Sequence, residues 1–308
     1  MKNQELSLWN QLLTLKNLPY GSVHCIENAE IENQIYEFII ESSNERCLND
    51  TEITKNFVSS YVEWIKSTKK NTILGLDDFK HSIYSNGTTE SFDKFYMKHR
   101  NRRLRYFRGE YVYHVAAGKF SFNDSLEIEK GDIDKNDVVI ISLPFAGTGN
   151  EHNKMQEILE ICDNLSVPVL LDCCYFGVCS DITFDFTHQS IEAITFSLSK
   201  NFPVQHLRIG IRLSRINDDD LLFIYNKNNY TNRLGTAVGN KILKHFSPDF
   251  NHNTYSQTQK EFCKILDIEQ SKSVFFGISK TNFREYNRGI EENRLCFSKY
   301  LHSKKLPD

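Results

Sequence analysis

Lys200 stands in Phe196-Ser197-Leu198-Ser199-Lys200-Asn201, behind a short apolar run. A lysine in such a setting is costly to keep charged, so its neutral amine becomes available to attack a carbonyl. Ser197 and Ser199 precede it, and Arg208-Ile209-Gly210 follows eight positions after the lysine. Two hydroxyls and a guanidinium can hold a phosphate through charge-assisted hydrogen bonds. Upstream, Leu171-Asp172-Cys173-Cys174-Tyr175 closes another apolar run. A carboxylate at the end of such a strand lies at the ligand edge of an open α/β sheet. There it could keep a pyridine nitrogen protonated and make the ring an electron sink. Tyr175, three residues on, could direct its phenol at a ring oxygen. Gly87, Thr88 and Thr89, in Ser85-Asn86-Gly87-Thr88-Thr89-Glu90-Ser91, open a helical run and present free backbone N–H groups and hydroxyls to an anion. Each segment has a plainer reading: an N-cap turn, a turn aspartate, a surface lysine. Their joint order argues instead for an aldehyde cofactor with a pyridine ring and a phosphate tail.

The elements that must position these groups follow from periodicity. Residues 5–70 read as amphipathic helices, with stripes at Leu6, Leu8, Leu12, Leu13 and Leu15, at Ile31, Ile35, Phe38 and Ile39, and at Phe57, Val58, Tyr61, Val62 and Ile65. Asn49-Asp50-Thr51 is the capping signal for the third. From about residue 80 the period changes. Val112–Val115, Val138–Leu143, Val167–Asp172, Ala193–Ser197 and Ile209–Leu213 are short, continuous and β-branched, as strands buried on both faces are. The spacing predicts a helix over 155–165 between the second and third. This alternation is that of an α/β chain with a mostly parallel sheet. Residues 216–246 return to helix, capped at Asp218-Asp219-Asp220. Val274–Ile278 and Arg294–Ser298 read as strands of a smaller α+β section. The expected division is an N-terminal helical segment (1–50) belonging to the small domain, a large cofactor-binding domain (51–215), and the rest of the small domain (216–308). The small domain is thus built from both chain ends, with a ligand cleft between the two domains.

Bulk properties narrow the class. The chain has 308 residues, 40% hydrophobic and 25% charged, with a net charge of −3, which does not suggest a polyanionic partner. Eight cysteines without framework spacing, a polar N-terminus and no membrane-length apolar run predict reduced thiols, a cytoplasmic setting and no membrane association. Ten scattered histidines with no ligand-spaced cluster predict no metal site.

On these motifs the chain resembles the fold-type I pyridoxal-phosphate enzymes of the aspartate aminotransferase superfamily (aminotransferase class I/II). Asp172-x-x-Tyr175, Ser197-x-Ser199-Lys200-Asn201 and Arg208-x-Gly210 match the family's spacing, and Ser142-Leu143-Pro144-Phe145-Ala146-Gly147-Thr148-Gly149-Asn150 looks like its SxPxNPTGN loop. Arg294, in Asn293-Arg294-Leu295, resembles the arginine that grips the substrate α-carboxylate. The resemblance covers about 80–298. It implies a three-layer type I fold, pyridoxal 5'-phosphate, and an aminotransferase working through a Schiff base at Lys200 on small-molecule amino donors and acceptors. It also implies a homodimer, with Tyr230 and Arg233 as candidate residues given to the partner's site. Two positions depart from the pattern. Ala146 replaces the asparagine that bonds the ring oxygen, and Gly147 replaces a proline. The ring-stacking aromatic is expected at Tyr111, with Tyr113 next.

Three alternatives remain at this stage. The first is another fate on the same fold, as a lyase or decarboxylase, for which Ala146 and the Cys173-Cys174 pair leave room; the plainer role of those cysteines is as small buried hydrophobes. The second is nucleic-acid binding through Lys98-His99-Arg100-Asn101-Arg102-Arg103-Leu104-Arg105-Tyr106-Phe107-Arg108. A solvated face or an anchor for an acidic partner is the more usual role of such a run. The third is a scaffold that keeps the cofactor without turnover.

Overall fold

The computed structural model describes residues 15–217 and 220–307. Leu6, Leu8, Leu12 and Leu13 of the first stripe, and Asp218 and Asp219, lie outside the described residues. The N-terminal expectation is corrected at 16–28, which run in turns and extended backbone rather than helix. The other two stripes form α1 (Ala29–Asn44) and α2 (Ile53–Lys66). Asn28 caps α1, its Oδ1 accepting from Glu30 N at 2.9 Å and Ile31 N at 3.2 Å. The 155–165 expectation is met by a helix, Met155–Leu165, which buries Met155, Ile158, Leu159 and Cys162 at helical spacing.

The central sheet has seven strands: β2 (His81–Ser85), β3 (Arg103–Tyr106), β4 (Asp124–Glu127), β5 (Asp137–Ser142), β6 (Val169–Asp172), β8 (Ile191–Ser197) and β9 (Gly210–Ser214). A separate parallel pair joins β1 (Thr72–Leu74) to β7 (Thr183–Asp185). The central order is β2-β9-β8-β6-β5-β3-β4. Only β9 runs antiparallel to its neighbours. Residues alternate across this sheet with a period of two. Val138, Ile140, Leu170 and Ala193 face one core with Phe92, Tyr96 and Ala117. Val139, Ile141, Leu171, Ile194 and Phe196 face the other, with Phe57, Tyr61, Leu159 and Val238. Helices therefore cover both faces, which gives three layers and explains why the strands read as unbroken apolar runs.

One strand assignment is overturned. Val112–Val115 lies in a helix, α4 (Val112–Phe120), which follows α3 (Thr88–His99). The sheet position beside β5 is taken by Arg103–Tyr106, inside the basic run. A short apolar run does not by itself distinguish a buried helix from a strand. Here Gly118 lets the helix sit against Ser125, where a Cβ would come within 2.5 Å of the Ser125 hydroxyl oxygen.

Met155–Leu165, between β5 and β6, is α5; after β9 come α6 (Leu221–Lys227), α7 (Arg233–His245) and α8 (Phe250–Leu266). Asp220 caps α6, accepting from Phe223 N at 2.9 Å. A second apolar cluster joins Leu15, Tyr20 and Ile26 to Tyr255, Phe262, Phe275, Leu295 and Phe297. It is thus drawn from both chain ends. It carries a three-stranded antiparallel sheet of β10 (Glu269–Gln270), β11 (Phe276–Ser279) and β12 (Asn293–Cys296). Among the described residues no helix is long and apolar enough to cross a membrane.

The basic run is absorbed into the fold. Lys98 and His99 bond Glu192 at 2.7 and 3.1 Å. Arg103 and the fully buried Arg105 converge on Asp137, each at 2.7 Å, and Arg108 bonds Glu127 at 2.9 Å.

Candidate active site

The parallel strands β5, β6 and β8 end at Ser142, Asp172 and Ser197, and β2 ends at Ser85. Because β9 runs the other way, its first residue, Gly210, pairs with both Ser197 and Ser85. Four loops therefore meet at one sheet edge, the one between β8 and β9 serving both strands. They enclose a cavity lined by Thr88, Thr89, Tyr111, Ser142, Ala146, Asp172, Cys174, Tyr175, Ser197, Ser199, Lys200, Gln205 and Arg208. Most of the residues singled out from the sequence share this space. Gly87 lies behind it and Arg294 beside it, whereas Tyr113 turns away to bond Asp93 at 2.8 Å. Tyr111 is the aromatic side chain that lines the wall between α4 and the sheet.

One end of the cavity is built for an anion. Gly87 has a φ of 73° and precedes the N-terminus of α3. A Cβ there would lie 2.5 Å from Arg208 Nη2, so glycine permits the close approach. Arg208 Nη2 donates to Thr89 Oγ1 at 2.8 Å, and Tyr84 holds the Arg208 carbonyl through its hydroxyl at 2.7 Å. Ser197 Oγ donates to Ser199 Oγ at 2.9 Å. Four hydroxyls, a guanidinium and a helix N-terminus converge there, a donor set that suits a phosphate.

The other end centres on Asp172, which is 5% exposed. Its Oδ1 accepts from Cys174 N at 3.0 Å, and its Oδ2 lies 3.4 Å from His114 Nε2. His114 is fully buried. Its Nδ1 is 2.6 Å from the Tyr96 hydroxyl, and Phe92 packs edge-on against its ring. The sequence reading missed His114. The usable signal was its spacing of three from Tyr111, which puts both on one helical face; a strand would have put them on opposite faces. Glu110 was missed too. It is buried, and burial pushes its carboxyl up from the usual range. Its oxygens accept from Tyr111 N at 2.7 Å, from Ser142 N at 2.9 Å and from the Ser142 hydroxyl. This ties the aromatic wall to the end of β5.

Lys200 lies in the turn three residues past β8. Its Nζ donates to the Val23 carbonyl at 2.8 Å, and Cys25 Sγ donates to Gln205 Oε1 at 3.5 Å, so the extended segment before α1 packs against two residues of the cavity wall. Burial pushes the neighbouring Cys174 thiol up to about 12, which keeps it protonated. Burial likewise pushes the Tyr111 phenol up to about 12. Tyr175 packs against Phe276 with ring centres 5.6 Å apart. Arg294, on β12, donates through Nη1 to the Ala146 carbonyl and lies over the Phe276 ring at 4.3 Å.

Comparison with known proteins agrees with this architecture. No family model matches the chain, and no curated protein matches it. Many solved structures do. An aromatic aminotransferase from Pyrococcus horikoshii aligns at 13% identity with a TM-score of 0.65, covering 88% of each chain. L-threonine-O-3-phosphate decarboxylase from Porphyromonas gingivalis aligns at 14% identity and a TM-score of 0.60, covering 86% of this chain and 92% of that one. A pyridoxal-phosphate-bound C–S lyase from Staphylococcus hominis aligns at 13% identity and a TM-score of 0.61, covering 87% and 83%. The chain thus has the three-layer α/β fold that these three enzymes share.

Proposed function

We propose that this chain is a pyridoxal-phosphate-dependent enzyme, an aminotransferase acting on an amino acid or a related amine, with Lys200 as the attachment point of the cofactor aldehyde. The observation that carries the reading is the single cavity in which a lysine amine, a carboxylate backed by a buried histidine, and a phosphate-type donor set converge. The residues fit the group. Thr88, Thr89, Ser197, Ser199, Arg208 and the start of α3 would hold its phosphate, and the absent Cβ at Gly87 leaves the required room. Tyr111 would cover one face of the ring, Asp172 would accept from its nitrogen, and Tyr175 would serve its oxygen where Ala146 offers no side-chain donor. When bound, the cofactor supplies an electron-withdrawing ring that stabilises negative charge at a substrate α-carbon. Lys200 would move the proton at that carbon, and Arg294 would orient the α-carboxylate through paired N–H groups.

Several observations support the remaining expectations. The exposed apolar side chains of Leu221, Ile224, Tyr225 and Tyr230 favour a homodimer through the α6 side. Arg233, the other candidate for the partner's site, donates to the Leu48 carbonyl within its own chain. Eight free thiols fit a reducing cytoplasm. The pairing of the basic run with Glu192, Asp137 and Glu127 argues against a phosphate-tracking surface.

The test is spectroscopic. The purified protein with pyridoxal phosphate should turn yellow, and borohydride should fix the label on Lys200; Lys200→Ala should abolish both. Against a panel of amino acids, conversion of the bound aldehyde to its amine supports transamination. Release of carbon dioxide or ammonia without that conversion would replace it by the decarboxylase or lyase activity found among structures of this fold.

A further inference from the structure

Arg288 is a cation that the reading above leaves without a task. It sits in a turn between Tyr286 and β12 that is held in shape from both sides. Asn287 Nδ2 donates to the Ile290 carbonyl at 2.7 Å and to Asn293 Oδ1 at 2.9 Å, and Asn287 Oδ1 accepts from Gly289 N at 2.8 Å. Ile290 presses this turn onto the walls of the cavity. A Cβ at Gly109 would lie 2.7 Å from Ile290 Cγ2, and one at Gly147 would lie 3.0 Å from Ile290 Cδ1. Gly109 leads into Glu110 and Tyr111, and Gly147 follows Ala146, so the turn that carries Arg288 packs on segments that line the cavity, and Arg288 is near enough to Arg294 and to the cavity-lining Tyr175 to be felt electrostatically by both.

Neither arginine has a counter-ion among the described residues. Arg288 makes no hydrogen bond or ion pair there, and its Nε is buried and unpartnered. Arg294 is 5% exposed, and its Nε is likewise buried and unpartnered. Glu110 is near enough to be felt electrostatically by Arg288, but its oxygens are already committed to Ser142 and Tyr111. Burial, with Arg294 adding to it, lowers the Arg288 guanidinium to about 9. A buried cation beside a half-buried one, with no anion between them, is unfavourable in isolation. A ligand that brings an anion to each of them relieves both terms.

We propose that Arg288 is a specificity-determining residue that binds a second anionic group, carboxylate or phosphate, on the side chain of the substrate whose α-carboxylate Arg294 holds. This rests on the reading of the site as a pyridoxal-phosphate enzyme. The guanidinium fork suits either anion through two parallel N–H···O bonds.

The test titrates the protein carrying its cofactor, following the cofactor absorbance, with aspartate against asparagine, glutamate against glutamine, and O-phosphoserine against serine. One charge-assisted contact implies that the anionic member of at least one pair half-saturates at a concentration about 30-fold lower than its neutral partner. Comparison among the pairs tells carboxylate from phosphate. Arg288→Gln should remove that preference and Arg288→Lys should restore part of it. An unaltered protein with no preference overturns the proposal. So does an Arg288→Gln variant that weakens the neutral amino acids as much as the anionic ones, since the role would then be structural. Calorimetric binding of succinate against its monoamide needs no cofactor response. If the Lys200 attachment fails but succinate still binds more tightly than the monoamide, and Arg288→Gln loses that margin, the anion site stands while the cofactor reading falls. Equal binding of the two removes the anion site.

Discussion

At the residue scale the site depends on groups that orient other groups. Asp172 is held by Cys174 N on one oxygen and faces His114 on the other, and His114 is in turn fixed by Tyr96. The histidine lines no part of the cavity, so its effect must pass through the carboxylate. Replacing His114 by Phe keeps a flat ring in the Phe92 contact but removes the partner of Asp172. A lost hydrogen bond to a charged group is worth about 1.5–3 kcal/mol. On the proposed function, affinity for pyridoxal phosphate, measured by absorbance titration, should fall by about tenfold or more, and its absorbance band should shift because Asp172 would no longer hold the same charge beside the ring nitrogen. Unchanged affinity and an unchanged band would assign His114 to packing alone.

At the element scale the decisive feature is the approach of the α3 N-terminus to β9. Gly87 and Gly210 meet where β2 and β8 end and β9 begins; a Cβ at Gly210 would lie 2.8 Å from the Phe196 carbonyl and 2.9 Å from Gly87 Cα. In Gly87→Ala the added methyl would meet the Arg208 guanidinium at a φ that disfavours alanine, costing about 1–2 kcal/mol. The displaced guanidinium is the one cation in the donor set proposed for the phosphate. Affinity for pyridoxal phosphate should therefore drop by about tenfold or more, while affinity for pyridoxal, which lacks the phosphate, should change little. Equal losses for both would show that the helix start does not serve the phosphate.

At the scale of the whole molecule, the far side of the sheet is anchored by charge rather than by packing alone. Arg105 is fully buried and donates to Asp137, to the Leu126 carbonyl of β4 and to the Asp132 carbonyl in the loop that follows. Burial pushes the Asp137 carboxyl up, but the Arg103 hydrogen bond, the Asp134 N–H and Arg105 outweigh it, and the group ends below its usual range. A carboxyl lowered on folding stabilises above its unfolded pKa, and that contribution is lost as pH falls through the folded value. Urea-unfolding stability should thus decline on acidification through and below the ordinary carboxylate range, and less steeply in Asp137→Asn. Arg105→Met leaves the buried carboxylate with one partner fewer and orphans several carbonyls, so it should cost about 3–5 kcal/mol in the same assay. A loss under about 1 kcal/mol would mean that Arg103 alone suffices.

Much of this architecture was already local in the chain. Met155–Leu165 carries its buried stripe in its own spacing, and Val169–Asp172 is buried throughout and Ile191–Ser197 at every position but Glu192, because helices cover both faces. Asp172, Lys200 and Arg208 are legible because Asp172 closes β6, Lys200 lies three residues past β8 and Arg208 lies two before β9. Periodicity failed at Val112–Val115, where an apolar run of four suits either a helix or a strand, and the neighbouring strand decided the outcome. Position in sequence alone also could not disclose His114 beside Asp172, Val23 against Lys200, or Arg288 beside Arg294. The first two contacts join segments 58 and 177 residues apart. All three are set by how β-strand ends, helices and the two chain termini fold onto one edge. Local propensity acts over a few residues, whereas burial and charge pairing act across whatever the packed chain brings together, and the chemistry around this cavity belongs to the second.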